Sequence, residues 1–172
     1  MKLLYITNAI NGSGGLERVL AVKGSYLANN LGYDVHMLTL NGGCINPFYE
    51  FSPKINFHDM KVGGNVVNYL LQYKKGIQKV INTVDPDVIS VCDDGLKGLL
   101  FPLIFGKKIP VIYERHVSKQ IENKTTSETF VNRIKLKIKF AFMNLGAKQF
   151  HKFIVLTKGN LKEWELKNME VI

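Results

Sequence analysis

Short apolar runs alternate along the chain with longer segments whose apolar residues recur at helical spacing. Residues 2–7 form a compact apolar run closed by turn residues, which predicts a buried strand. A glycine-rich loop follows at 11–15. Leu16, Val19, Leu20, Leu27, Ala28 and Leu31 then mark a helix over 16–31, with Gly32 placed to end it. The same reading gives strands at 34–40, 55–58, 88–92, 110–114 and 153–157, and helices at 65–83, 95–105, 128–149 and 158–168. Residues 41–53 carry Gly42, Gly43, Pro47 and Pro53 and read as a long loop, and 117–127 is polar and loop-like. Such alternation with short connections implies a mostly parallel sheet covered on both faces. The expected class is α/β, a doubly wound, Rossmann-like three-layer sandwich.

Composition narrows this picture only a little. The 172 residues suffice for one domain and, at 46% apolar, for a sizeable core. Lys and Arg total 23 against 14 acids, a net +9 that favours an anionic partner (phosphate, nucleotide, nucleic acid or acidic lipid) without choosing among them. Two cysteines, Cys44 and Cys92, are too few for a disulfide framework and lack metal-ligand spacing, so both are expected as reduced thiols in a cytoplasmic protein. No run approaches the roughly 18 apolar residues that span a bilayer, and the apolar stretch after Lys2 is too short for a signal peptide. Residues 169–172 begin one more strand that is not continued. That suggests a fragment cut near a domain boundary, with a frayed tail as the alternative.

The glycine loop between the first strand and the first helix falls at the carboxyl edge of a parallel sheet, where open α/β folds bind ligands. A helix N-terminus there offers free N–H groups and a positive dipole end to phosphate or sugar oxygens. The dinucleotide fingerprint fails, because Glu17 stands where a third glycine is required and Thr39, Leu40 and Asn41 replace the acid at the end of the second strand. No Gly-Lys-Ser/Thr exists for a phosphate-binding loop of the NTPase kind. A dehydrogenase and a P-loop NTPase are both demoted, and a tight turn without a ligand remains an alternative.

Five segments taken in order carry a resemblance. They are Gly14-Gly15-Leu16-Glu17-Arg18-Val19, the stretch 27–35 (LANNLGYDV), Pro86-Asp87-Val88-Ile89, Val111-Ile112-Tyr113-Glu114-Arg115-His116 and Phe153-Ile154-Val155-Leu156-Thr157. Together they resemble the N-terminal domain of family 4 retaining glycosyltransferases, enzymes of GT-B architecture with two Rossmann-like halves facing a cleft. The resemblance spans nearly the whole chain and implies an acceptor-side domain over 1–172, with the donor-binding C-terminal domain absent. It implies transfer of a sugar from a nucleotide-sugar donor to a saccharide or lipid-linked acceptor with retention, in surface polysaccharide or glycolipid assembly. Neither a cofactor nor a metal ion is expected. A non-catalytic Rossmann-like module binding a nucleotide or a partner is the rival reading.

By the same resemblance, His116 corresponds to a cleft histidine that hydrogen-bonds the transferred sugar, a task suited to an imidazole. A surface histidine beside an unrelated loop is the alternative. Arg115 is a candidate for gripping phosphate in a bidentate manner, with Glu114 orienting either neighbour. Gly14 and Gly15 would bring backbone amides to the diphosphate or donor sugar. Arg18, one helical turn in, is either phosphate-facing or solvated. Asp93 is a candidate for acceptor hydroxyls, while Asp94 and Thr157 read better as helix caps. His36, His58 and His151 read as structural.

The basic helix holds apolar residues on two sides. At about 100° per residue, Phe130, Val131, Ile134, Ile138, Ala141, Phe142 and Leu145 share the face expected to be the core stripe. Leu136, Phe140 and Met143 stand opposite, flanked by Arg133, Lys135, Lys137 and Lys139. That basic–apolar face suits an anionic membrane, and the resemblance implies the inner side of the cytoplasmic membrane. Burial under the 117–127 loop or a further domain is the alternative. Nucleic acid is not expected, since no binding module is visible.

Overall fold

A computed structural model describes the chain except for Asp94, Lys107, residues 119–129, Glu165 and Ile172, and the side chains of Phe130, Val131 and Arg133. The capping role read for Asp94, the polar loop over most of its length and the membrane role read for Arg133 therefore lie outside the described residues. By its contacts the chain divides into two units, Met1–Val91 and Cys92–Ile172.

In the first unit β1 (Lys2–Ile6), α1 (Gly15–Asn29), β2 (Asp34–Leu40), β3 (Asn56–Met60), α2 (Val66–Val84) and β4 (Val88–Val91) follow one another. The strands lie in the order β3-β2-β1-β4 and every pair is parallel. Leu4 on the central β1 sits opposite His36 of β2 and Ile89 of β4. Leu3, Leu4, Tyr5 and Ile6 are all buried, so both faces of the central strand are covered. The helix between β1 and β2 and the helix between β3 and β4 run in opposite directions across the sheet. Right-handed crossovers then place α1 and α2 on opposite faces, which gives the expected layers. The chain reverses between β1 and β4, and that switch point is where such folds open a crevice at the carboxyl ends of the strands. Asn65 caps α2 by accepting the Asn68 backbone N–H at 2.9 Å.

The second unit holds α3 (Leu96–Leu99), α4 (Phe101–Phe105), β5 (Val111–Arg115), α5 (Phe130–Ala147), β6 (Lys152–Val155), α6 (Lys158–Trp164) and β7 (Met169–Val171). Its strands pair in parallel in the order β5-β6-β7. The expected single helix over 95–105 breaks at Leu100, because Pro102 has no N–H for a continuous ladder and instead starts a new helix at its first turn. Phe150, Tyr113, Phe153 and Trp164 pack one against the next to fill the core, with ring centroids 4.8–5.1 Å apart along that order.

On α5 the structure reverses the expected faces. Ile138 is 53% exposed and Phe142 50%, and Ile134, Ala141 and Leu145 are exposed with them, whereas Met143 is only 1% exposed. Leu136, Phe140 and Lys139 are half-buried, and only Lys135 and Lys137 of the described basic residues are open to solvent. The physical reason is steric. Gly146 and Ala147 flank Met143 on the same side of the helix and are buried, and a Cβ at Gly146 would collide with the Leu99 carbonyl. Small residues let α5 approach α3 closely, and that decides which face turns inward when both carry apolar side chains.

Candidate functional site

In the first unit the loop after β1 folds around a carboxylate. The Glu17 side chain lies so close to Gly12 and Gly14 that a Cβ at either would meet its oxygens at 2.7 and 2.5 Å. Glu17, the residue that breaks the dinucleotide fingerprint, thus rests its carboxylate against the backbone at 12 and 14. Gly14 is the N-cap of α1 and makes no side-chain capping bond, and Gly15 has open space around it. The first turn of α1 thus has no capping side chain from residue 14, and the Glu17 carboxylate lies beside it. Arg18 is exposed and shares the outer stripe of α1 with Val22 and Tyr26, beside a shallow cavity of about 510 Å³.

In the second unit strand alternation divides the Glu114-Arg115-His116 segment. Glu114 and His116 are two residues apart and fall on one face, and Arg115 turns to the other. The Arg115 side chain is buried over the Trp164 ring, 5.5 Å from its centroid, and donates from Nε to the Val117 carbonyl at 3.1 Å. The guanidinium is thus packed against the indole, with only 2% of the residue exposed. Asp93 is held at the turn into α3. It is 2% exposed, accepts the Gly95 backbone N–H at 2.8 Å and lies 3.3 Å from Lys97 Nζ, while its carbonyl accepts the Tyr113 hydroxyl at 2.6 Å.

Glu114 and His116 behave differently. Both side chains are largely buried, and His116 Nε2 stands 3.7 Å from Glu114 Oε2, too far for a hydrogen bond. His116 Nε2 is buried with no hydrogen-bond partner among the described residues. A buried ring nitrogen without a partner costs stability unless a ligand atom satisfies it. Cys92 Sγ, a Glu114 oxygen and a His116 nitrogen lie within 4.8 Å of one another, the one trio of metal-ligating side chains among the described residues. Sulfur, oxygen and nitrogen donors of that kind suit a zinc-like ion. They equally suit a sugar hydroxyl held between an imidazole and a carboxylate.

The remaining histidines are structural, as their strand positions suggest. His36 Nδ1 and His58 Nε2 are 2.8 Å apart with stacked rings, and His151 Nδ1 accepts the Val111 backbone N–H at 3.1 Å. Thr157 caps α6, accepting the Asn160 N–H at 3.1 Å. No helix among the described residues is long and apolar enough to cross a membrane.

Sequence reasoning missed a second concavity in the first unit, at the carboxyl ends of β2 and β3. It measures about 590 Å³ and is lined by Asn41, Asp59, Lys61, Asn68 and Gln72, with Ile45 and Val62. The available signal was the cluster of amides and glycines directly after two successive strands.

The fold matches one half of two-domain GT-B structures. In sequence the chain is similar to the amylovoran biosynthesis glycosyltransferase AmsD of Erwinia amylovora, with 27% identity over 180 residues covering 99% of this chain and 45% of AmsD. Among solved structures it is similar to sucrose-phosphate synthase from Thermosynechococcus elongatus, with a TM-score of 0.72 and 13% identity over all of this chain and 48% of the enzyme. The lipopolysaccharide outer core galactosyltransferase WaaB matches with a TM-score of 0.65 and 13% identity, over 99% of this chain and 45% of its own. The chain thus spans about half the length of the proteins it matches. No family model matches it.

Proposed function

We propose that this chain is the acceptor-side half of a retaining glycosyltransferase that moves a sugar from a nucleotide-sugar donor to a saccharide or lipid-linked acceptor in surface polysaccharide or glycolipid assembly. The observation that carries the proposal is the buried, unpartnered Nε2 of His116 beside the Glu114 carboxylate at the carboxyl edge of β5. A sugar hydroxyl placed there accepts from or donates to the imidazole and gives the orphaned nitrogen its partner. The similarity to AmsD and to GT-B enzymes supports the reading.

The open, uncapped first turn at Gly14 and Gly15 is suited to the departing diphosphate, because its N–H groups and the α1 dipole are fixed before charge develops. That arrangement needs no metal ion. The half matching the rest of the relatives would supply most donor contacts, so the chain alone would be inactive. The exposed Ile134, Ile138, Phe142 and Leu145, with Lys135 and Lys137 alongside, would rest on the anionic inner face of the cytoplasmic membrane.

The test is His116→Ala in an enzyme carrying both halves. Turnover is expected to fall by roughly 10²-fold or more, the scale set by losing one preorganised polar contact at a reacting sugar, while the melting temperature holds or rises. Near-normal turnover removes His116 from the site. Nucleotide binding without any transfer favours the rival reading of a non-catalytic module.

A further inference from the structure

Cys92, Glu114 and His116 meet within the second unit from two segments of the chain. Glu114 and His116 share one side of β5 and its end. The Tyr113 hydroxyl donates to the Asp93 carbonyl at 2.6 Å and so ties the turn after Cys92 to the same strand. Cys92 Sγ, a Glu114 oxygen and a His116 nitrogen then lie within 4.8 Å of one another. All three groups are out of water: Cys92 is 1% exposed, and the side chains of Glu114 and His116 are 6% and 7% exposed. The sequence hides the trio, because α3 and α4 intervene between the cysteine and β5.

Distance decides what such a trio can hold. Bonds of about 2.0–2.3 Å around a tetrahedral zinc ion put its ligand atoms roughly 3.3–3.6 Å from one another. His116 Nε2 and Glu114 Oε2 are 3.7 Å apart, long for a hydrogen bond and close to that separation. A side-chain shift of about 1 Å closes the widest pair that the 4.8 Å limit allows. Charge points the same way. A carboxylate and a thiolate are each costly to bury, but together they neutralise a divalent cation, and a neutral imidazole adds nothing to the sum. Binding releases the thiol proton to solvent, and no electron moves. His116 Nε2, buried with no hydrogen-bond partner among the described residues, gains a bond to the metal. The Arg115 guanidinium, whose charge would oppose a cation, packs on Trp164 on the other face of the strand. Mixed sulfur, nitrogen and oxygen donors favour zinc over magnesium or calcium, which take oxygen ligands. Three protein ligands leave the fourth position to water.

We propose that Cys92, Glu114 and His116 form a zinc site, and that bound zinc holds the transferase off by taking the His116 nitrogen meant for the sugar. Zinc and sugar compete for one atom. The control of turnover rests on the transferase reading, whereas the binding of zinc does not.

Metal binding is tested on the 172-residue chain, stripped with EDTA and kept reduced. Zinc is expected to raise its melting temperature, and EDTA to reverse the rise. Cobalt(II) in place of zinc is expected to give a near-ultraviolet thiolate-to-cobalt band and the intense visible bands of a tetrahedral site. That spectrum comes from the unaltered chain, so it depends on no variant folding. Cys92→Ser should erase the thiolate band. His116→Ala should weaken zinc by more than the roughly 10- to 100-fold lost with an outer-shell partner. Cys44→Ser and His58→Gln, both in the first unit, should leave the spectrum unchanged. A chain that takes up no cobalt or zinc, a cobalt spectrum without the thiolate band, or a band that survives Cys92→Ser would overturn the site. In an enzyme carrying both halves, zinc is expected to lower turnover, EDTA to restore it, and Cys92→Ser to remove the response. Turnover that ignores zinc bound at the trio would overturn the competition. An enzyme with no turnover at all would count against the transferase reading and leave the spectroscopic result standing.

Discussion

His58 shows how a single side chain sets a condition on the edge of the first sheet. Burial and, second to it, the neighbouring His36 hold the His58 imidazole below the ordinary histidine value of 6.5. His36 is itself 3.1 Å from Asp34 Oδ1, and the two rings share a 2.8 Å N···N contact that requires one nitrogen to remain unprotonated. The unfolded chain therefore takes up a proton near pH 6.5 that the folded β3 resists. Stability is full above that value and is lost as pH falls below it toward the lowered folded pKa. Thermal melts at pH 7 and pH 5.5 should show a drop that the His58→Gln variant lacks. A wild-type melting temperature equal at both values would dismiss the pair as a pH-sensitive element. Asp93 carries a simpler consequence. Its buried carboxylate accepts the Gly95 N–H in the turn before α3, so Asp93→Ala, which leaves that donor unsatisfied, should cost about 1–3 kcal/mol in denaturant unfolding. An unchanged midpoint would show that the carboxylate does not hold this turn.

At the scale of an element, α5 separates what periodicity can and cannot reveal. Periodicity located the helix correctly. It failed to choose between two apolar faces, because Ile138 and Phe142 are as apolar as Leu136 and Phe140, and helical spacing is symmetric to that choice. The deciding feature was the volume of Gly146 and Ala147, which admits the Leu99 backbone. Gly146→Val should therefore destabilise the fold by about 1–3 kcal/mol, the cost of forcing bulk into a close-packed contact. The exchanged faces also change the membrane experiment. Ile138→Ser with Phe142→Ser should weaken binding to vesicles of phosphatidylglycerol at an unchanged melting temperature, whereas Met143→Ser should lower the melting temperature. If the exposed pair leaves vesicle binding intact, α5 does not touch the membrane. The Leu100 break had a legible cause in Pro102, but a proline at a helix start and a proline within a helix look alike until the preceding turn is known.

At the scale of the molecule, alternation of strands and helices was enough to give the α/β class, because each parallel strand must bury both faces and announces itself as an apolar run. The site was less legible for the opposite reason. Arg115 and His116 are adjacent letters, yet a pleat sends one under Trp164 and leaves the other at the strand edge with an unsatisfied nitrogen. The concavity beside β2 and β3 escaped notice because its polar groups come from three separate segments that only the parallel register brings together. The relatives matched by this chain are about twice its length, and the function proposed above divides donor and acceptor binding between two halves. That division makes a sharp prediction for the 172-residue chain on its own. Incubated with a panel of nucleotide sugars and octyl glucoside, it should form no glycosylated product by mass spectrometry. Product formation by the chain alone would show that donor binding and catalysis are complete within it, and the two-half division would then be wrong.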